Sequence, residues 1–471
     1  MLKKILIANR GEIAVRLIRA CAEMKIRSVA IYTEPDRYAL HVKRADEAHF
    51  IGDDPLGGYL NAHRIVNLAV ETGCDAIHPG YGFLSENPEL AAICTRRGIR
   101  FIGPKAEVIQ RMGDKTAARQ AMIEAGVPVT PGSEGNLDDA NHASKEAERI
   151  GYPVMLKATS GGGGRGIRRC DDAEGLKTAW DRVVSEATKA FGSAEVFLEK
   201  CIDEPRHIEV QILADGHGNT IHLFERDCSI QRRNQKLIEI APSPQLTGEQ
   251  RAHICGLAVK AAEAVGYENA GTVEFLVKGE DVYFMEMNTR VQVEHTITEQ
   301  ITGVDIVQEQ IRIASGLPLS WRQDEISMRG FAIQLRINAE DPQQEFLPSF
   351  GRVTRYYAPG GPGVRVDTAI YTGYSVPPYF DSMCLKLIVW ALRWDDALDR
   401  GLRALADMRL MGVKTTAPYY AQILANPAFR GGRFDTSFIA KHPELARYSE
   451  KTRPQELALA VATAIAVHTG L

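Results

Sequence analysis

The stretch MEMNTRVQVEH, residues 285–295, has a polar or charged residue at every second position from Glu286 onward. These positions are Glu286, Asn288, Arg290, Gln292 and Glu294. Because side chains alternate between the two faces of a β-strand, this spacing predicts a strand with carboxylates, amides and a guanidinium on one face. Any strand with one solvated face shows the same alternation, so the stretch taken alone slightly favours a half-exposed strand.

A second acidic strand precedes this stretch. The segment VEFLVKGEDVYFMEM is typical of a β-hairpin that turns at Gly279, and such a hairpin places Glu274 beside Glu286. Asn288 adds a neutral oxygen two residues further on. Carboxylate and amide oxygens are hard ligands that suit Mg²⁺, which keeps several waters and bridges substrate phosphates. The sequence therefore predicts that these three residues bind Mg²⁺ together with a nucleotide.

A predicted strand that contains Lys157 is followed at once by the glycine-rich stretch SGGGGRG, residues 160–166. Glycines have no Cβ, so their backbone N–H groups can approach a phosphate chain closely, while a nearby lysine supplies positive charge. The Walker pattern GxxxxGK[ST] is absent. Four glycines without the lysine would indicate only a surface loop, whereas the combination favours phosphate binding.

Other cations are candidate ligands for an anion. Lys115 in MGDKTAAR and Lys236 in QRRNQKLIE are each, taken singly, typical of solvated surface lysines. The segment RDCSIQRRNQK, however, brings Arg226, Arg232, Arg233 and Lys236 together in a chain whose net charge is -4. This local excess of positive charge predicts an anion site.

The composition indicates an ordinary globular protein of 471 residues, enough for about three domains. The net charge of -4 argues against a nucleic-acid binder. The eight cysteines are scattered without a CxxC pair, which predicts reduced structural thiols. The apolar N-terminus is interrupted too early for a signal peptide, and the tract ELALAVATAIAVHTG is shorter than the about 20 residues that a membrane helix needs. We therefore expect a cytoplasmic protein with no membrane segment.

The elements that carry these residues predict an α/β and α+β fold. Residues 1–112 begin with a strand, a helix and a second strand, KKILIAN, GEIAVRLIRACAEM and RSVAIYT, which is a βαβ unit of an α/β domain. The dinucleotide pattern GxGxxG is missing there. Residues 113–330 predict glycine-rich loops and antiparallel hairpins, and residues 331–447 predict short strands with one helix. A helical extension covers residues 448–471.

A series of motifs runs through most of the chain: IANRGEIAVR, HPGYGFLSEN, FIGP, MGDK, AGVPV, SGGGGRG, EVFLEK, PRHIEVQ, ERDCSIQRRNQK, EMNTRVQVEH, RINAEDP and PPYFDSM. In order and spacing, over roughly residues 1–447, they resemble biotin carboxylase of the ATP-grasp superfamily. The resemblance implies a Rossmann-like N-terminal domain over 1–112, an ATP-grasp domain with a glycine-rich lid over 113–330, and a C-terminal domain over 331–447 that closes the site.

The resemblance also implies roles for individual residues. The ligands of Mg²⁺ or Mn²⁺ would be Glu274, Glu286 and Asn288. The ATP site would comprise Lys115, Lys157, Gly163, Gly164, Glu199, Lys200, His207, Gln231, Asn234 and Leu276. The bicarbonate pocket would comprise Lys236, Arg290, Gln292 and Val293. The catalytic residues would be Arg290, Glu294, Lys236 and Arg336, with Glu294 as the general base and Arg336 facing the ureido oxygen of biotin.

The implied reaction uses ATP and bicarbonate to form carboxyphosphate, which carboxylates biotin under a closed lid. The chain has no biotin-bearing hairpin and no carboxyltransferase region. We therefore expect biotin to be presented by a carrier domain on a separate subunit that also supplies the carboxyltransferase, and we expect a homo-oligomer. A different ATP-grasp ligase would lack the combination of RVQVEH with RINAED, and a non-catalytic relative would have lost Glu294 or Arg290.

The sequence departs from the common family pattern at three places. Asn234 stands where many members have His, the glycine run is one residue short, and Ile240 replaces a Glu. The segments RRNQKLIEIAPSP and FDTSFIAKHPEL, with the C-terminal extension, look more like the biotin carboxylase component of a two-subunit pyruvate carboxylase. The corresponding component of an acetyl-CoA or another acyl-CoA carboxylase is the alternative.

The extension has a pattern of its own. One stripe of its predicted helix is formed by Leu457, Val461, Ala464, Ile465 and His468. A stripe of this kind predicts packing either on this chain or on a second subunit.

Overall fold

The computed structural model describes residues 1–159, 166–191, 194–448 and 454–469. The N-terminal region contains strands β1 (Lys4–Ile7), β2 (Arg27–Tyr32), β3 (Glu47–Phe50), β4 (Ala76–His78) and β5 (Arg100–Phe101). Its helices are α1 (Gly11–Glu23), α2 (Leu40–Arg44), α3 (Ala62–Glu71), α4 (Pro88–Arg96) and α5 (Ala106–Gly113). The strands form one parallel sheet in the order β3-β2-β1-β4-β5, which confirms the predicted Rossmann-like arrangement.

Local sequence signals explain where the N-terminal helices begin. In α4 the Asn87 side chain accepts a hydrogen bond from the Leu90 N–H, and Pro88 occupies the first turn. Asparagine is a preferred N-cap residue, and proline is favoured in the first turn of a helix. Helix α1 buries Ile13 and Leu17 against the sheet, as its apolar periodicity predicts.

The described residues in the middle of the chain add six helices and eight strands. The helices are α6 (Lys115–Glu124), α7 (Ala140–Ile150), α8 (Ala173–Phe191), α9 (Gly248–Ala264), α10 (His295–Thr302) and α11 (Ile306–Ala314). The strands are β6 (Val154–Ala158), β7 (Ile167–Cys170), β8 (Val196–Lys200), β9 (Arg206–Ala214), β10 (Thr220–Arg232), β11 (Gln235–Ala241), β12 (Asn269–Lys278) and β13 (Asp281–Asn288). Strands β7-β6-β8 form a small antiparallel sheet, so Lys157 lies on a strand as predicted. The predicted phosphate ligands Gly163 and Gly164 lie outside the described residues.

In the part of the C-terminal region that the structure describes, there are nine further strands and five helices. The strands are β14 (Phe331–Asn338), β15 (Glu340–Asp341), β16 (Leu347–Pro348), β17 (Gly351–Arg352), β18 (Arg355–Tyr357), β19 (Val364–Thr368), β20 (Ser375–Val376), β21 (Met383–Ala391) and β22 (Arg409–Met411). The helices are α12 (Trp394–Asp407), α13 (Ala417–Ala425), α14 (Pro427–Arg430), α15 (Phe438–Lys441) and α16 (Pro454–Thr469).

One antiparallel sheet of eight strands joins the middle region to the C-terminal region. Its order is β13-β12-β9-β10-β11-β14-β21-β19. The junction is the β11–β14 pair, in which Glu239 lies opposite Gln334. The sheet therefore continues across residue 330, where the sequence predicts the boundary between the second and third domains. The domain boundaries given above stay predictions.

The two faces of this sheet differ in chemistry. One face packs on α9 and buries apolar side chains of β9 and β12, namely Ile208, Val210, Ile212, Val273, Phe275 and Val277. The intervening residues project to the opposite face, because side chains alternate along a strand. There β9 presents His207, Glu209 and Gln211, and β12 presents Thr272 and Glu274. Helix α10 packs on this polar face.

All eight cysteines are free thiols, and seven of them are buried, which confirms the prediction of reduced structural cysteines. Among the helices of the described residues, none combines the length and the apolar character needed to cross a membrane.

Candidate active site

The two predicted metal-binding carboxylates lie directly opposite each other. Strands β12 and β13 pair with Glu274 opposite Glu286 and Thr272 opposite Asn288, so the predicted hairpin is confirmed. The prediction that the strand continues to Glu294 is wrong. Strand β13 is an edge strand that ends at Asn288, opposite Thr272, although β12 itself continues to Asn269.

After Asn288 the chain leaves the sheet and turns into α10. The Thr289 N–H donates a hydrogen bond to the Glu86 carboxylate at 3.1 Å, and Glu294 is the residue that precedes α10. Arg290, Gln292 and Glu294 therefore lie on a connection rather than on one face of a strand. Their side chains still reach the metal-binding pair: Arg290 contacts Asn288, Gln292 contacts Glu274, and Glu294 shares a lysine with Glu274.

Lys236 is the centre of this convergence. Its ammonium group donates to Glu209 at 2.5 Å, to Glu274 at 2.8 Å and to Glu294 Oε1 at 2.8 Å. The three carboxylates are buried. Burial opposes the charged form of Lys236, but these carboxylates raise its pKa well above the ordinary value, so the ammonium stays protonated.

Glu294 is held between two cations. Its Oε1 atom faces Lys236, while its Oε2 atom accepts a hydrogen bond from Arg336 Nη2 at 3.0 Å. Arg336 also donates from Nε to Glu239 at 2.5 Å. Burial opposes ionisation of Glu294, yet Lys236 and Arg336 lower its pKa below the ordinary value. Glu294 is therefore an ionised carboxylate that can accept a proton.

Arg290 is fixed by residues from two regions of the chain. Its Nε donates to Glu86 at 2.9 Å, its Nη1 to Gln292 Oε1 at 2.9 Å, and its Nη2 to Asn288 Oδ1 at 2.9 Å. Glu86 belongs to the N-terminal region. The predicted bicarbonate residues Lys236, Arg290 and Gln292 thus meet at Glu274, because Gln292 also donates to Glu274 Oε1 at 3.1 Å.

The two carboxylates fit a divalent cation. Within the described part of the chain, Glu286 accepts no hydrogen bond and forms no ion pair, although it is half-buried. Burial raises the pKa of Glu286, and the neighbouring Glu274 raises it further. A divalent cation would relieve this repulsion. The Asn288 oxygen accepts from Arg290, so the fit rests on Glu274 and Glu286.

The predicted nucleotide residues fall into two groups. Lys157 and Glu199 form an ion pair between the strands β6 and β8. Lys115 begins α6 nearby, where burial lowers its pKa while Glu286 and Glu199 act in the opposite direction. Two lysines of the predicted phosphate site therefore lie near each other and near the predicted metal ligands.

The other predicted nucleotide residues have different environments. His207 contacts Glu274 at 2.8 Å and lies opposite Leu276 in the sheet. Gln231 pairs with Lys236 in the β10–β11 hairpin, and Asn234 is exposed at its turn. The Lys200 ammonium donates to the carbonyls of residues 151 and 152 at 2.8 Å each, so backbone groups already satisfy it.

The prediction that the four basic residues of RDCSIQRRNQK form one anion site is wrong. Arg226 is fully buried and forms an ion pair with Glu209. Arg232 and Arg233 point toward Glu345 on the surface. The buried arginine lies within the sheet, whereas the other two lie at the end of the β10–β11 hairpin, and a count of charges along the sequence cannot show this.

Several site residues were not predicted from the sequence. Glu209 neutralises both Arg226 and Lys236, Glu239 holds Arg336, and Glu86 holds Arg290. The segment HIEVQ alternates like MEMNTRVQVEH, so Glu209 had a usable signal. The contacts of Glu86 and Glu239 depend on distant parts of the chain and left no local pattern.

Comparisons with known proteins agree over nearly the whole chain. The family model "Biotin carboxylase, N-terminal domain" matches residues 1–109, "Carbamoyl-phosphate synthase L chain, ATP binding domain" matches 114–322, and "Biotin carboxylase C-terminal domain" matches 334–441.

Three relatives with different names show similar identity. The 2-oxoglutarate carboxylase small subunit of Hydrogenobacter thermophilus is 53% identical, and the match covers 100% of both chains. A pyruvate carboxylase subunit of Methanothermobacter thermautotrophicus is 52% identical over 94% of this chain and 90% of that protein. Biotin carboxylase 1 of Bacillus subtilis is 52% identical over 93% of this chain and 98% of that protein.

A crystal structure is also known for the first relative. Its biotin carboxylase domain, a dimer in complex with MgADP and bicarbonate, superposes with a TM-score of 0.94 at 55% identity. The match covers 96% of this chain and 100% of that chain.

Proposed function

Because this chain belongs to the biotin carboxylase family and is an ATP-dependent carboxylase, we propose that it carboxylates biotin on a carrier protein through carboxyphosphate. One observation carries the proposal. The two oxygens of Glu294 face different cations, Lys236 on one side and Arg336 on the other. A base in that position lies between an anion bound by Lys236 and a second substrate bound by Arg336.

The first step is the activation of bicarbonate. Bicarbonate is a poor nucleophile, so Glu294 removes its proton while Lys236 and Arg290 hold the anion against the γ-phosphate of ATP. Lys236 is within 2.8 Å of Glu294, and Arg290 is fixed by Glu86 and Gln292. The three groups thus supply positive charge and a proton acceptor at one place. There a bicarbonate oxygen attacks the γ-phosphorus, ADP leaves, and carboxyphosphate forms.

ATP is bound by Lys115, Lys157 and Glu199, together with the other residues that the family resemblance implies. The Lys115 and Lys157 ammonium groups neutralise the phosphate chain. Glu274 and Glu286 would hold Mg²⁺ or Mn²⁺, with Asn288 as the third ligand that the family resemblance implies, and the cation would neutralise negative charge on the phosphate chain. The MgADP and bicarbonate bound by the related 2-oxoglutarate carboxylase domain support this choice of ligands.

The second step transfers the carboxyl group to biotin. Carboxyphosphate breaks down to CO₂ and phosphate, and the phosphate takes the proton of the biotin ureido nitrogen. Arg336 then stabilises the negative charge on the ureido oxygen while the deprotonated nitrogen attacks CO₂ and forms the N–C bond of carboxybiotin. Its guanidinium is half-buried and fixed by Glu239 and Glu294, so it needs little reorganisation.

The finer proposal concerns the complex in which this chain works. We expect biotin to arrive on a separate subunit that also carries a carboxyltransferase, with pyruvate as the acceptor. The names of two relatives, one from a pyruvate carboxylase and one from a 2-oxoglutarate carboxylase, support a 2-oxo acid. An acyl-CoA acceptor is the alternative. We also expect a homo-oligomer, as in the related dimer, and a cytoplasmic location.

The experiment measures phosphate release from ATP by the purified chain with MgCl₂, with and without bicarbonate and free biotin. We expect release to require bicarbonate and to be accelerated by free biotin. Equal hydrolysis with and without bicarbonate would sink the proposal. Reconstitution with candidate partner subunits, with oxaloacetate and malonyl-CoA measured separately, then decides the acceptor.

A further inference from the structure

The backbone around Val293 has an unusual pattern of hydrogen bonds. Within the described residues the Val293 N–H donates to no group, although Val293 is half-buried between Gln292 and Glu294. The Gln292 carbonyl, which belongs to the same peptide group, accepts a hydrogen bond from His295 Nδ1 at 2.8 Å and a longer one from the His295 backbone N–H at 3.3 Å. In a trans peptide the C=O and N–H bonds point in opposite directions, so the group that holds the carbonyl also sets the direction of the N–H.

His295 is suited to this role because it is a neutral donor. A carbonyl oxygen can only accept, so the Nδ1 atom of His295 carries the proton. The ring is fully buried. Burial lowers the pKa of His295 well below its ordinary value, and the nearby Lys386 and Arg16 lower it further, so the ring stays neutral. Its Nε2 atom has no hydrogen-bond partner among the described residues.

The next peptide group is held in a similar way. The Lys386 ammonium of β21 donates to the Val293 carbonyl at 2.9 Å and lies 3.1 Å from Glu12 of α1. Lys386 is fully buried, and Tyr81 donates to the same Glu12 oxygen. Two successive carbonyls are therefore fixed by two buried side chains, His295 and Lys386. This arrangement leaves the intervening N–H unpaired.

We infer that His295 is a positioning residue for bicarbonate: by holding the Gln292 carbonyl it aims the Val293 N–H at the anion that Lys236 and Arg290 bind. This inference rests on the proposed function. His295 does not touch the substrate. It acts through the backbone, and Lys386 supports the same segment from the C-terminal region.

The test compares two amides that differ only in where they place a donor. In His295→Asn the side-chain nitrogen replaces Nδ1, whereas in His295→Gln it replaces Nε2. We expect His295→Asn to keep the KM for bicarbonate within about threefold of the wild type. We expect His295→Gln to raise it on the order of tenfold, the effect of one weakened hydrogen bond, with the KM for ATP unchanged. The control is His41→Asn, which alters another buried histidine, in the N-terminal region.

Two results would overturn the inference. One is an equal bicarbonate KM in His295→Asn and His295→Gln, which would mean that the position of the donor is irrelevant. The other is a parallel rise of the KM values for ATP and bicarbonate, which would indicate a general disturbance of the site. Failure of the proposed function is distinguishable from both, because the wild type itself would then show no dependence on bicarbonate.

Discussion

At the scale of single residues, Glu294 is the side chain whose replacement tests the reaction most directly. The variant Glu294→Gln keeps the shape of the side chain but cannot accept a proton. We expect bicarbonate-dependent ATP cleavage to fall by about 10²- to 10⁴-fold, the usual contribution of a general base. Nucleotide affinity, measured by calorimetry, should stay nearly unchanged because Glu294 contacts Lys236 and Arg336 rather than Lys115 or Lys157.

A matched control for this variant is Glu225→Gln. Glu225 is also buried and ionically paired, but its partner is Arg251 on α9, and it accepts a further hydrogen bond from the Ser243 N–H. Neither partner is a site residue, so the variant should lower stability without removing bicarbonate dependence. Preserved turnover in Glu294→Gln together with weaker nucleotide binding would contradict the assigned role of Glu294.

Sequence patterns predicted the reacting residues better than the residues that hold them. Glu274 and Glu286 were placed together because a hairpin brings neighbouring strands into register, and the structure pairs them directly. The partner of Arg290 is Glu86, about 200 residues away in the chain, and such a contact forms only when two regions fold against each other. Charge counting failed at Arg226, which is buried against Glu209.

At the scale of elements, the β10–β11 hairpin allows the predicted nucleotide contact of Asn234 to be tested. Arg233 and Asn234 both have positive φ, 50° and 63°, as in a two-residue type I′ turn. This backbone conformation favours Gly and Asn over β-branched residues. Replacing Asn234 can therefore disturb the turn as well as any contact of its side chain.

Two substitutions separate these effects. Asn234→Gly keeps the turn and removes the side-chain amide, so we expect the KM for ATP to rise about three- to tenfold, the value of one hydrogen bond, with stability unchanged. Asn234→Val strains the turn and should lower the thermal midpoint as well. If Asn234→Gly leaves the KM for ATP unchanged, Asn234 acts only as a turn residue.

Local signals predicted elements, and non-local pairing decided how far they extend. The N-cap of α4 follows from residues close in sequence, and so do the β9–β10 and β12–β13 hairpins. Strand β13 stops at Asn288, where the next N–H, that of Thr289, donates to the distant Glu86, although the polar alternation continues to Glu294. The junction of β11 with β14 joins strands about 90 residues apart, and no local pattern announces it.

At the scale of the whole molecule, an ionic cluster connects three regions. Arg16 of α1 and Arg365 of β19 both bind Glu299 of α10, at 3.0 and 2.7 Å, and Arg365 also binds Asp367 at 2.8 Å. Burial opposes ionisation of Asp367, but Arg365 lowers its pKa from 3.8 to about 2. A lowered pKa means that the charged form is stabilised in the folded state.

This cluster predicts a pH-dependent contribution to stability. The contribution of Asp367 is fully present above its ordinary pKa of about 4, and it is lost as the pH falls toward 2. At pH 7 it corresponds to about 2 kcal/mol. We expect Asp367→Asn to have a lower urea midpoint of unfolding than the wild type at pH 7. The gap between the two midpoints should narrow between pH 4 and pH 3. A gap that widens over this range would contradict the assignment.

The C-terminal helix α16 raises the question of what covers it. Its side chains Leu459, Val461, Ile465 and Val467 are 50–77% exposed. In the structure these side chains therefore do not pack against the rest of this chain. Residues 457–471 contain no Asp, Glu, Lys or Arg. Exposed apolar surface of this kind typically marks an interaction site. We therefore expect α16 to contact the subunit that carries the biotinylated and carboxyltransferase domains.

Deletion of residues 449–471 tests this expectation. The deletion removes none of the site residues. The rate of phosphate release with free biotin should therefore stay within about twofold of the full chain, a smaller change than the loss of one hydrogen bond would cause. Co-elution with the candidate partner and oxaloacetate formation from pyruvate should be lost, and Val461→Asp with Ile465→Asp should reproduce the loss in the full-length chain. The matched control is Leu392→Asp, which adds the same charge at another exposed apolar side chain, 55% exposed. Free biotin bypasses the carrier, so an equal fall in phosphate release and in oxaloacetate formation would mean that α16 supports the catalytic fold. Unchanged co-elution would exclude α16 from the subunit interface.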